Sequence, residues 1–219
     1  MRENQSLADE YINQLFAIED ETLLAIRSAL KADKKEGINI GPYEGKILQF
    51  LIKALHIEKI VEIGTLYGYS ALWMARALPE QGKLYCLESE PNHFEKAQHF
   101  LMKSEVQQKI EIHLGDALSS LQQLSAKAPF DMVFIDANKA GYIKYLDWAE
   151  EHIKSGGLIV GDNTFLFGNV FADNSQAHMT INKETIAIMR EFNSRLANPK
   201  KYNSILLPTA EGMTVAQKL

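Results

Sequence analysis

Cysteine is almost absent from this chain: Cys86 is the single one in 219 residues. That excludes an internal disulfide framework and any CxxC metal site. Its place in the strand-like run Lys83–Glu88 makes it a small core residue. Basic excess is absent too. Asp and Glu number 28 against 23 Lys and Arg, a net charge of −5, so the footprint of a dedicated nucleic-acid binder is missing. No apolar run approaches the roughly 20 residues that span a bilayer. Met1 to Glu10 is polar and acidic, without the apolar core of a secretory signal. The expectation is a soluble cytoplasmic protein with no membrane partner.

Several catalytic signatures are also missing. The six histidines form no i, i+4 pair, which excludes the usual helical zinc motif. Ser70 lacks the G-x-S-x-G elbow of serine hydrolases. Gly41 to Lys46 resembles a phosphate loop but is one residue short, and Ile47 replaces the required Ser or Thr. It reads as a turn feeding a helix.

What is present is a core. Apolar residues make up 46% of the chain, and its length suits one α/β domain, residues 1–219. Leu7, Tyr11, Leu15, Ile18, Leu23, Ile26 and Leu30 recur at spacings of three and four, which predicts one amphipathic helix over about 6–32. A second helix runs through Lys46 to Ala54. Strand and helix then alternate. Strands are expected at 59–63, 83–87, 110–114, 130–135 and 158–160, and helices at 70–78, 92–104, 117–124 and 143–152. This alternation, with glycines at the crossovers, predicts a parallel, doubly wound sheet covered on both faces. After an irregular stretch over 165–180 come a helix at 183–196 and strands at 204–207 and 213–217. Only five residues separate those two strands. A connection that short permits a hairpin and no parallel crossover, so the last strand should be antiparallel.

Ligands of such sheets bind beyond the carboxyl ends of the strands. The first strand ends Glu62-Ile63-Gly64-Thr65-Leu66-Tyr67-Gly68-Tyr69-Ser70, where the glycines allow a tight turn. The second ends in Glu88, a carboxylate able to take ribose hydroxyls. NAD and S-adenosylmethionine (SAM) sites share these features. The loop lacks the G-x-G-x-x-G that a pyrophosphate needs, and Glu62 beside it favours the positive charge of SAM. The bland reading is a plain strand–helix turn with a solvated glutamate. Farther along, Asp136, Asp162 and Asn163 follow adjacent strands. An incomplete all-oxygen set suits a hard cation such as Mg²⁺. Singly, each such residue is more often a cap or turn residue. Lys139 lies three residues after Asp136, where a nearby cation would disfavour its ammonium and suit it to act as a base.

Taken in order, these segments resemble the cation-dependent class I O-methyltransferases, the group of catechol and caffeoyl-CoA O-methyltransferases and their small bacterial relatives. The resemblance runs from about Leu23 to the C-terminus. It rests on Gly41–Leu48, Glu62–Ser70, Leu87-Glu88, Gly115–Ala117, Phe134–Lys139, Gly161–Thr164, Leu206–Pro208 and Gly212–Val215. It implies a Rossmann-like sheet of seven strands with one antiparallel, preceded by a helical extension over 1–45. Ile40, Glu62, Gly64, Thr65, Ser70, Glu88, Ala117 and Asp136 would bind SAM, Ile40 through its backbone. Asp136, Asp162 and Asn163 would hold Mg²⁺, or Mn²⁺ or Ca²⁺, and Lys139 would be the base. A homodimer is implied, with a catechol-like small molecule as acceptor and the 165–180 loop on the substrate side. Phe167 stands where relatives often have tryptophan, and Asn138 where acidic residues are common. Both departures bear on substrate. Two alternatives stay open: a hydroxylated tRNA base such as 5-hydroxyuridine as acceptor, and an NAD(P)-binding oxidoreductase.

Overall fold

The computed structural model describes residues 7–171 and 181–219. Part of the expected substrate-side loop, 172–180, therefore lies outside the described residues. The chain has two compact units, residues 1–116 and 117–219. Among the described residues there are seven strands, mostly parallel with one C-terminal strand reversed, so the expected α/β class holds.

In the first unit, α1 (Leu7–Phe16), α2 (Glu21–Ala32) and α3 (Pro42–Ala54) precede β1 (Lys59–Ile63). Then come α4 (Tyr69–Ala77), β2 (Lys83–Glu88), α5 (Pro91–Leu101) and β3 (Ile110–Leu114). The single N-terminal helix predicted from periodicity is in fact two. Asp20 caps α2, its carboxylate accepting the Leu23 N–H at 3.0 Å, and a capped start cannot also be a helix interior. The apolar stripe hid that signal. α2 buries Leu23, Ile26 and Leu30, whereas α1 buries nothing and leaves Leu7, Tyr11, Leu15 and Phe16 exposed.

Gly41 caps α3, Pro42 takes the first helical position, and the Glu44 carboxylate accepts the Gly41 N–H. The near-miss phosphate loop is thus the helix start that its sequence suggests. β1 and β2 pair in parallel from Lys59↔Lys83 to Ile63↔Leu87, and β2 and β3 from Leu84↔Ile110 to Glu88↔Leu114. Near-continuous burial of β1 and β2 follows from cover on both faces.

The second unit runs α6 (Ala117–Leu124), β4 (Phe130–Ile135), α7 (Tyr142–His152), β5 (Ile153–Asp162), α8 (Lys183–Leu196), β6 (Tyr202–Leu207) and β7 (Met213–Lys218). β4 and β5 are parallel and end together at Ile135↔Gly161. β7 is antiparallel to both β5 and β6, as the short connection requires. β5 is longer than the predicted 158–160, because the register shifts between Phe130 and Met132 and lets the strand continue back through Gly156 and Gly157. Phe130, Phe134, Tyr142, Leu146 and Phe192 are fully buried here. A Cβ at Gly161 would stand 2.6 Å from the Phe192 ring, so a bare backbone is needed for α8 to reach the sheet. Among the described residues, no helix is long and apolar enough to cross a membrane.

Asp20 also joins Arg76, which in turn holds Glu105. Partial burial raises the Asp20 carboxyl, but the Arg76 hydrogen bond and the helix N–H groups outweigh it and leave the group below its ordinary 3.8. A lowered folded value means stabilisation that is complete above the unfolded value and is lost as pH falls through the folded one. Asp20→Ala should therefore cost about 1 kcal/mol near pH 7 through the lost cap. The gap between the wild-type and variant denaturant midpoints should narrow below about pH 4.

Candidate functional site

In the first unit, the candidate residues gather at the carboxyl ends of β1 and β2. Glu62 is fully buried in β1, where its two oxygens accept hydroxyls from Thr65 at 2.9 Å and Ser70 at 2.5 Å. A carboxylate held in this way fits an amino group or sulfonium nearby. Cys86 lies against the same carboxylate. Burial first, then the charge of Glu62, pushes its thiol well up, so it is an inert core residue as its sequence context predicts.

Glu88 is held from three sides. One oxygen accepts the Leu66 N–H at 2.8 Å, and the other accepts those of Ser89 and Glu90 at 2.9 Å each. A carboxylate offers about four acceptor positions, so roughly one remains for a ribose hydroxyl. Part of the work of Glu88 is thus to fasten the glycine loop, alongside the Gly64 N–H to Leu87 carbonyl bond at 3.0 Å. Gly64 and Gly68 both have left-handed φ, 93° and 89°. At Gly68 a Cβ would also strike Leu101 at 2.8 Å. The glycine there therefore also serves packing. Ile40 is buried beside the start of α3, with its carbonyl already accepting the Asn39 amide at 2.8 Å.

The second unit carries the other candidates. Ala117 opens α6. One step beyond the last β4–β5 pair, Asp136 and Asp162 stand level on neighbouring strands, and Asn163 follows with a left-handed φ of 56°. The Lys139 ammonium lies 3.0 Å from Asn163 Oδ1 and 3.7 Å from Asp136 Oδ1. Oxygens from both strand ends are therefore within reach of one cation. Among the described residues no three His, Cys, Asp or Glu side chains cluster as a metal site. The candidate set has two carboxylates and one amide oxygen, hard donors that suit Mg²⁺ and leave positions open.

Two supports of this edge were not found from sequence. The first is Tyr142, fully buried with its ring edge-on to Phe192 at 5.1 Å. Its hydroxyl lies 2.8 Å from the Asp162 carbonyl and 3.1 Å from that of Ile135, and it accepts a hydrogen bond from Lys139. Its spacing, one helical turn after Lys139, was the available signal. The second is the turn between β6 and β7. The Gly212 and Glu211 carbonyls accept the Thr164 and Phe165 N–H groups at 3.0 and 2.8 Å, and the Glu211 carboxylate accepts that of Phe167 at 3.2 Å. This clasp fixes a stretch where Leu166 and Phe167 also have positive φ. No local pattern announces contacts this remote in the chain. Asn138 is exposed, and its side chain caps the turn into α7 through the Gly141 N–H at 3.0 Å.

The sequence model of the O-methyltransferase family matches residues 14–219. The chain belongs to that family. It is a methyl-transferring enzyme, as its motifs led us to expect of a SAM-dependent O-methyltransferase. A catechol O-methyltransferase of Niastella koreensis is 41% identical over 169 residues, 76% of each chain. Among solved structures, the Bacillus cereus O-methyltransferase in complex with SAH superposes with a TM-score of 0.87 at 30% identity, covering 100% of both chains. The Streptomyces achromogenes O-methyltransferase, solved with SAM, gives 0.84 at 32% identity, covering 96% of this chain and 95% of that one. Membership of this family, on this fold, removes the oxidoreductase alternative.

The clasp yields a test. A Cβ at Gly212 would stand 2.6 Å from the Phe165 ring, on a backbone with φ of 76°. Gly212→Ala should lower unfolding stability by about 1–3 kcal/mol in a denaturant melt. Methyl transfer by the remaining folded protein should fall as well, because the stretch that carries Asn163 is displaced.

Proposed function

We propose that this enzyme transfers a methyl group from SAM to one hydroxyl of a catechol-like, vicinal-diol small molecule, with a divalent cation required. The observation that carries the reading is the convergence of Asp136 and Asn163 oxygens on the Lys139 ammonium at paired strand ends. The likeness to a catechol O-methyltransferase supports the acceptor class.

In this reading Asp136, Asp162 and Asn163 hold the cation. Glu62, Thr65 and Ser70 face the charged end of SAM, with Gly64 and Ile40 lending backbone, and Glu88 takes the ribose. A divalent cation held there would supply Lewis acidity toward a diol hydroxyl, and SAM would supply the methyl group. Lys139 would take the proton of the reacting hydroxyl at Nζ, which Tyr142 and Asn163 hold at this edge. The remaining task of the protein is alignment, and fixed geometry of this kind can supply roughly 7–11 kcal/mol of barrier lowering.

Labelled SAM and caffeate, with Mg²⁺ and then with EDTA, test the reading. Transfer should occur with the cation and stop without it. Asp162→Ala should lose turnover far more than SAM affinity. Transfer that survives EDTA or this substitution overturns the metal role. No transfer to caffeate despite bound SAM overturns the catechol acceptor and brings hydroxylated tRNA forward.

A homodimer is supported by the exposed apolar residues of the first unit, Tyr11, Leu15 and Phe16 on α1 and Phe50 on α3. Light scattering should give twice the chain mass; a monomer mass at micromolar concentration would sink the idea.

A further inference from the structure

We infer that Tyr142 is a positioning residue for proton transfer: its hydroxyl holds the Lys139 side chain at the edge where Asp136 and Asn163 present their oxygens. The inference rests on the proposed role of Lys139 as base.

A lysine side chain has four flexible bonds, and an unrestrained Nζ would spend little time in one place. Here Nζ has a fixed partner on a rigid ring. The Tyr142 ring is fully buried and packed against Phe192, so the phenol oxygen does not follow the motions of Lys139. That oxygen has one proton to give and two lone pairs to offer. The proton goes toward main-chain carbonyls, Asp162 at 2.8 Å and Ile135 at 3.1 Å. The acceptor side is thereby turned to Lys139, whose Nζ donates to it while lying 3.0 Å from Asn163 Oδ1.

The same hydroxyl touches the carbonyls at the ends of both β4 and β5. Its position is referenced to the backbone that carries Asp136 and Asp162. Any shift of one strand end relative to the other is transmitted to the anchor of Lys139. Phenylalanine would keep the packing and remove the hydroxyl, with its bonds to Lys139 and to the two carbonyls. The alternative is a purely structural hydroxyl that braces the two strands and leaves Lys139 indifferent.

The test compares Tyr142→Phe with wild type in the full chain. Protein labelled with ¹³C-lysine reports Lys139 directly, its side-chain methylene signal being the one that disappears in Lys139→Arg. In wild type the two ε-protons should be inequivalent, as in a held side chain. In Tyr142→Phe the signal should move and the two should merge. Methyl transfer should fall by about 10–100-fold, the usual effect of losing such a support. The KM for SAM should change little.

In a Lys139→Met background, adding Tyr142→Phe should cause no further loss, since the residue it positions is gone. Equal losses in both backgrounds overturn the inference. An unchanged Lys139 signal accompanied by a lowered melting temperature also overturns it, in favour of the structural brace. If wild type transfers nothing to caffeate, the proposed acceptor falls. The lysine signal still decides the role of Tyr142, because it needs no acceptor.

Discussion

The pairing of β4 with β5 is the constraint on which the chemistry of the second unit depends. Two parallel strands, buried from Met132 and from Gly157 onward, make their last pair at Ile135↔Gly161. A slip by one residue would turn every side chain to the opposite face, so the buried rows of Met132, Val133 and Phe134 against Leu158, Ile159 and Val160 hold the register. Once that register is set, Asp136 and Asp162 must emerge side by side. Lys139 brings a cationic charge to this edge, 3.7 Å from Asp136 Oδ1.

The edge itself is irregular backbone, and its irregularity is supported from behind. Asn163, Leu166 and Phe167 all have left-handed φ values, which L-residues adopt at a cost of about 1–3 kcal/mol each in unfavourable cases. Such a conformation persists only where surrounding contacts specify it. The turn between β6 and β7 supplies them, with hydrogen bonds to Thr164, Phe165 and Phe167. Thr164, Thr214 and Asn193 add a partly buried network that ties this stretch to α8 and β7. The reversed C-terminal hairpin thus has a second task beyond completing the sheet.

The first unit shows how one residue type serves both architecture and chemistry. Glu62 and Glu88 are buried carboxylates at neighbouring strand ends, and each is surrounded by donors from the protein itself. Those donors lower the cost of burying charge and hold the acceptor groups still. Gly68 serves the architecture, since a Cβ there would meet Leu101.

Much of this was legible from residues alone. Strands 110–114 and 130–135 and helices 117–124 and 183–196 fall where the sequence pattern places them, because a helix buried on one side repeats about every 3.6 residues and a strand covered on both faces is a short apolar run. The reversal of β7 followed from a connection too short for a crossover. The candidate residues were legible as types following strands, since a doubly wound sheet has only one edge where ligands gather. The break before α2 was not, because an unbroken apolar stripe masks a cap. Nor were Tyr142 above Lys139, the clasp of Glu211 on Phe167, or Leu101 in the space beside Gly68. Sequence by itself determined the alternation of elements and the chemical groups they carry, since both depend on neighbours a few residues apart. Which of those groups touch was decided only by tertiary structure, because contacts across 44 positions of chain, such as Phe167 with Glu211, arise from packing and leave no local repeat to read.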